Sequence, residues 1–275
     1  MTIRRIEVPI FDKQTVDSLL DAATTLASEF DAQIEARFIR PSATDAARFD
    51  DGYGFAGSSL MDQIERDGLA AAKSAHDGYE AWCARNASHP QIHWSVDEGP
   101  AGAVVAVRGC LADLILLQRP GAKEPAIDEP FAAAVMGAGK LAMVTDKRLP
   151  ANFLDHALVA WNGSTESARA IGQAMGFLKR ARKVSVFAAG EDGAEPANVQ
   201  QLLSYLSAHG VQADAVFNST VSGNIAKILI ETMDREKVTL LVMGAYTHSR
   251  MRQMLFGGVT HSLLGTPGTP TLFAH

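Results

Sequence analysis

Apolar residues alternate at Ile6, Val8 and Ile10, the period of a half-buried strand, and the pattern then switches to the helical spacing Val16, Leu19, Leu20, Ala23, Leu26, Ala27 and Phe30. Asp12 stands between the two patterns, where a helix needs an N-cap. Residues 33–41 predict a second strand ending at Pro41, residues 91–99 a third, and residues 114–120 a fourth. The unbroken Leu114-Ile115-Leu116-Leu117 run has the character of a parallel strand buried on both faces. Between the second and third strands lie a polar, glycine-containing stretch, 41–57, and a long helical pattern from about Ser59 to Arg85.

The same order then recurs. Strands are expected at 156–163, 183–190, 211–219 and 239–246, and helices at about 164–179, 197–209 and 223–236. Matching Asp12 to Asn162 sets the halves 150 residues apart, whereas matching Asp113 to Thr239 sets them 126 apart. The first half therefore carries 24 additional residues, which fall within about 41–90. Strands alternating with helices imply right-handed β-α-β units and a parallel sheet. The expectation is two tandem doubly wound α/β domains, 1–146 and 153–275, with a short linker near Thr145–Phe153 and closely associated halves.

Composition narrows the function classes. The chain of 275 residues is 47% hydrophobic and 20% charged, with a net charge of −6, values ordinary for a soluble globular protein. The basic residues are scattered, so nucleic acid is not an expected partner. No apolar run is long enough to span a bilayer. Cys83 and Cys110 form neither a Cys-x-x-Cys motif nor a Cys/His quartet, which fits a reducing cytoplasm and predicts no zinc site. Both cysteines read as buried or half-buried small hydrophobes. His89 and His93 flank Pro90 without an acidic or thiol neighbour at metal-ligand spacing and read as a surface pair. A Gly-x-Gly-x-x-Ala match at Gly137, Gly139 and Ala142 precedes a strand instead of following one, so it is no dinucleotide fingerprint.

In open parallel sheets ligands bind beyond the carboxyl ends of the strands. After the strand ending at Met243, Gly244 opens a loop, and Gly257 and Gly258 precede a helical pattern at Val259, Leu263 and Leu264. Glycines there permit close backbone approach, and a helix start presents free N–H groups to a phosphate. Thr260 adds a hydroxyl, and His248, Arg250 and Arg252 add positive charge. The plain alternative is that the glycines serve a tight strand-to-helix connection and that the charged side chains are solvated.

The segment 240–264 resembles the adenine-nucleotide loop of the universal stress protein family, whose usual form is Gly-x2-Gly-x9-Gly-Ser/Thr after the fourth strand. Gly244 and Gly257 match that spacing; Thr247 stands at the second glycine position and Gly258 at the Ser/Thr position. In the family an aspartate at the end of the first strand approaches the ribose and adenine, and Asn162, following Ala160, takes that place here. The resemblance implies Rossmann-like, adenine nucleotide alpha hydrolase-like domains, the first degenerate and carrying a helical insertion. It also implies ATP or another adenine nucleotide held in the second half by Ala160, Asn162, Gly244, Thr247, His248, Arg250, Gly257, Gly258, Val259 and Thr260. It further implies action through an unidentified protein partner without catalysis, and pairing of the last strands (140–145 and 269–274) as an intramolecular pseudo-dimer open to further dimerisation. The corresponding first-half segment, 116–139, puts proline and acidic residues where the glycines would be, so no nucleotide is expected there. A scaffold of the same fold without nucleotide affinity is the competing reading, and a hydrolase ranks last because the loop supplies no acidic residue.

Overall fold

The computed structural model describes residues 2–42, 58–86, 91–119, 128–146, 148–189, 198–218, 225–245, 258–264 and 268–275, without the side chains of residues 58, 128, 189, 217, 218 and 261. Its strands are β1 (Arg5–Ile10), β2 (Gln33–Arg40), β3 (Ile92–Glu98), β4 (Leu114–Gln118), β5 (Leu141–Thr145), β6 (His156–Trp161), β7 (Lys183–Ala189), β8 (Asp214–Asn218), β9 (Leu240–Gly244) and β10 (Thr271–Ala274). Its helices are α1 (Val16–Phe30), α2 (Ser58–Arg85), α3 (Ala101–Gly109), α4 (Asp128–Ala132), α5 (Thr165–Leu178), α6 (Val199–Ala208), α7 (Ile225–Glu236) and α8 (Gly258–Leu264). A π-helical turn, Ala133–Gly137, follows α4.

The two halves share one ten-stranded sheet in the order β3-β2-β1-β4-β5-β10-β9-β6-β7-β8. Every neighbouring pair is parallel except β5–β10, which is antiparallel and joins the halves. Alternation along the strands sends side chains to two core layers. Leu114, Leu116, Ala157, Val159 and Val186 join α1, α2, α5 and α6 on one face. Ile115, Leu117, Leu158, Leu241 and Phe273 join α3, α4, α7 and α8 on the other.

Register corrects the internal alignment by one residue. Ile6 lies opposite Leu114 and Ala157 opposite Leu240, and all four face the first core layer. Ile10 therefore corresponds to Trp161, and Asn162 to Phe11, not to Asp12. Asp12 instead caps a short 3-10 turn (Lys13–Thr15) ahead of α1, its Oδ1 accepting from Gln14 N at 3.0 Å. The same correspondence places Glu7 and Arg37 of the first half where the second has Leu158 and Phe187. Arg37 donates to the buried Glu7 at 2.7 Å and to Asp97 at 3.0 Å, and burial still pushes the Glu7 carboxyl above its ordinary value.

Contacts between the halves go beyond the β5–β10 ladder. The Phe30 and Phe177 ring centroids lie 4.5 Å apart, and the Arg180 guanidinium sits 4.6 Å over the Phe30 ring. On the opposite face Phe131 meets Phe273 edge-on at 5.0 Å. In the linker Leu149 and Phe153 are buried, so the connection is packed against the core and does not act as a free tether.

Candidate functional site

At the carboxyl edge of β6 the chain turns through Asn162 and Gly163 into α5. Asn162 is exposed, and its Oδ1 accepts from Ser164 N at 3.2 Å, an Asx turn. Gly163 has φ +74°, which favours glycine, and the Ser164 hydroxyl caps α5 by accepting from Ser167 N at 3.1 Å. Ala160, one pleat back from the edge, is half-buried against the second core layer.

Gly244 ends β9 beside β6, and the pairing of Ala160 with Met243 brings Asn162 and Gly244 to the same edge. The glycine there has a packing reason. A Cβ at Gly244 would lie 2.6 Å from Ser167 N and 2.7 Å from the Glu166 carbonyl carbon, both backbone atoms of the first turn of α5. The register-equivalent residue of the first half is Gln118, whose side-chain oxygen accepts from the Ser18 hydroxyl at 3.1 Å. There α1, preceded by its 3-10 turn, leaves room for a full side chain; α5 does not.

Gly258 opens α8, Val259 is half-buried against the second core layer, and Thr260 is buried. Thr247, His248, Arg250 and Gly257 lie outside the described residues. The structure therefore brings Ala160, Asn162 and Gly244 to one sheet edge.

Residues 154–275 match the model of the universal stress protein family. The second half carries a domain of that family. The whole chain is similar in fold to a universal stress protein from Archaeoglobus fulgidus, at 13% identity over 99% of this chain and 96% of that one, with a TM-score of 0.71. It is also similar to a functionally unknown protein from Pseudomonas aeruginosa, at 12% identity over 99% and 92% of the two chains, with a TM-score of 0.56. Among curated proteins no sequence match is found. At these identities the structural likenesses establish the fold, and they extend it over the first half, which the family model does not reach.

Sequence reasoning missed a clamp between the family domain and the first half. Arg119, just past β4, is 6% exposed. It donates to Asp146 Oδ1 at 2.6 Å, to the Leu263 carbonyl at the end of α8 at 2.5 Å, and to the Thr269 carbonyl at 2.8 Å. Asp146 in turn accepts from Gly268 N at 2.5 Å. Burial lowers the Arg119 pKa and the Asp146 charge opposes that shift. A lone Arg-Pro dipeptide after a strand gave no signal of this, because two of the three partners are backbone carbonyls 144 and 150 residues away.

His156, at the start of β6, is buried. Its Nδ1 lies 3.0 Å from the Glu236 carbonyl, which can only accept, so Nδ1 carries the proton and Nε2 accepts from the Ser185 hydroxyl at 2.8 Å. Burial lowers its pKa from the ordinary 6.5. The unfolded chain then binds the proton first, so stability is expected to hold above pH 6.5 and to fall as the pH drops below it. Urea midpoints measured across that range check this, and His156→Gln is expected to remove its part of the slope.

Two other expectations change. Cys110 is exposed, not buried, with its thiol 3.0 Å from the Ala106 carbonyl, and Cys83 is half-buried as expected. His93 has an acidic neighbour from the adjacent strand, Glu35 at 3.1 Å, while His89 lies outside the described residues. Among the described residues no helix is long and apolar enough to cross a membrane.

Proposed function

We propose that this chain is a universal stress response protein that binds an adenine nucleotide in its second half and acts through contacts with a protein partner in the cytoplasm. The observation that carries the reading is the family match over 154–275, which includes the loop from Gly244 to Gly258 and the exposed Asn162 at the same sheet edge. In the proposal Asn162 hydrogen-bonds the nucleoside, the loop receives the phosphates, and ordering of that loop on binding alters the surface offered to the partner. Catalysis is not part of it.

One observation favours the second reading, a scaffold of the same fold without nucleotide affinity. The close approach of α5 accounts for Gly244 without any ligand. Substitution at Gly244 therefore cannot separate the two readings, since it disturbs packing in either case. Asn162→Ala can, because the residue is exposed and its one described contact is local.

The test is to denature the purified protein, chromatograph the released small molecules, and titrate ATP, ADP and AMP into stripped protein by calorimetry. Co-purified adenine nucleotide, or binding tighter than about 100 μM (roughly −5.5 kcal/mol) that Asn162→Ala weakens, is the expected outcome. Nothing released and no heat would favour the scaffold.

A further inference from the structure

Asn162 and Gly163 form the only Asn-Gly pair in the chain. In such a pair the backbone nitrogen of the glycine can attack the side-chain amide of the asparagine, because glycine has no Cβ to crowd the five-membered ring that closes. Both residues are exposed at the carboxyl edge of β6. A Cβ added at Gly163 would meet nothing within 4 Å, so the ring has space to form and water can reach it. Among the described residues the Gly163 N–H has no hydrogen-bond acceptor, which leaves its proton free to pass to solvent base.

The Asx turn supplies the other half of the arrangement. The Asn162 side chain accepts from Ser164 N at 3.2 Å, and since a backbone N–H only donates, the atom facing it is the carbonyl oxygen, with Nδ2 turned away. That oxygen is where negative charge develops when the amide carbon is attacked, and a donor fixed there lowers the barrier in the manner of an oxyanion hole. Ser164 is itself held in place, because its hydroxyl caps α5 by accepting from Ser167 N at 3.1 Å.

Two other exposed asparagines lack this setting. Asn152 is followed by Phe153, which is buried and whose N–H is engaged, donating to the Pro150 carbonyl at 3.0 Å. Asn198 is followed by Val199, a buried β-branched residue that opens α6. In the first the attacking nitrogen is already bonded, and in the second it is crowded.

We propose that Asn162-Gly163 is a site of spontaneous covalent modification, at which the side-chain amide is lost and a carboxylate takes its place. The Gly163 nitrogen forms a bond to Asn162 Cγ, the Cγ–Nδ2 bond breaks, and ammonia leaves with the Gly163 amide hydrogen, giving a succinimide. Water then opens the ring. Cleavage of the bond between Cγ and the nitrogen gives aspartate, and cleavage of the bond from the main-chain carbonyl gives isoaspartate, whose backbone runs through the former side chain. No electrons are exchanged, and water is the only co-reactant. A group that donates and accepts becomes one that only accepts and carries a negative charge, on the rim where Gly244 ends β9. The charge of that rim therefore depends on the age of the molecule, whether or not the second half binds nucleotide.

The test is to hold the full-length protein in mildly alkaline buffer, separate samples by ion exchange over time, map them by peptide mass spectrometry, and assay isoaspartate with an isoaspartyl methyltransferase. A more acidic form should accumulate, with aspartate and isoaspartate at position 162 and with Asn152 and Asn198 unchanged. Asn162→Asp marks the elution of the aspartyl product. Asn162→Gln, in which attack would have to close a six-membered ring, should lose the acidic form. The native protein should convert at least as fast as the chain unfolded in guanidinium, because only the folded turn keeps the Ser164 N–H on Oδ1. Slower conversion in the native protein than in the unfolded chain, an acidic form undiminished in Asn162→Gln, or equal conversion at Asn152 and Asn198 would each overturn the proposal.

Discussion

Arg119→Met should lower the stability of the whole chain by about 3 kcal/mol, the range found when one partner of a buried pair is removed. The arginine joins three acceptors from two halves, Asp146, Leu263 and Thr269. Methionine fills the volume but leaves the buried Leu263 carbonyl and the part-buried Thr269 carbonyl without their donor and a carboxylate without its cation. Lysine should recover less than half of the loss, since a single ammonium cannot reach three acceptors arranged around a planar fork. Urea unfolding is the measurement, with a lower midpoint at unchanged slope as the expected signature. A loss below about 1 kcal/mol would place Arg119 among the surface pairs that contribute little.

Gly244→Ala should cost about 3 kcal/mol, at the upper end of what overpacking usually costs. The added methyl would meet backbone, Ser167 N at 2.6 Å and the Glu166 carbonyl carbon at 2.7 Å, so no rotamer change relieves it. The first turn of α5 must move, and with it the Ser164 cap and the Asn162 turn. Thermal unfolding of ligand-free protein reads the loss directly. An alanine variant as stable as the wild type would mean that α5 can stand off from β9 as α1 does from β4.

Much of the fold was legible because its signals are local. The alternation in β1, the Leu114–Leu117 run and the spacing of α1 fix element type within a few residues, the repeated order of elements implied two parallel units, and the family resemblance implied that their last strands pair. The one-residue shift between Phe11 and Asp12 was not legible. Asp12 and Asn162 both occupy turn positions after a strand, and only the ladder to β4 and β9 separates the two alignments. At the candidate site, spacing identified Gly244 but not its neighbour, because helix approach is a tertiary property.

The antiparallel β5–β10 seam has a consequence for how the molecule responds to dilution. In a pair of separate chains such a seam would come apart as protein concentration falls. Here both strands belong to one chain joined by a packed linker, so each meets the other at a local concentration on the order of millimolar or higher, whatever the bulk value. The seam is therefore insensitive to expression level and should add no dependence on protein concentration to the melting temperature.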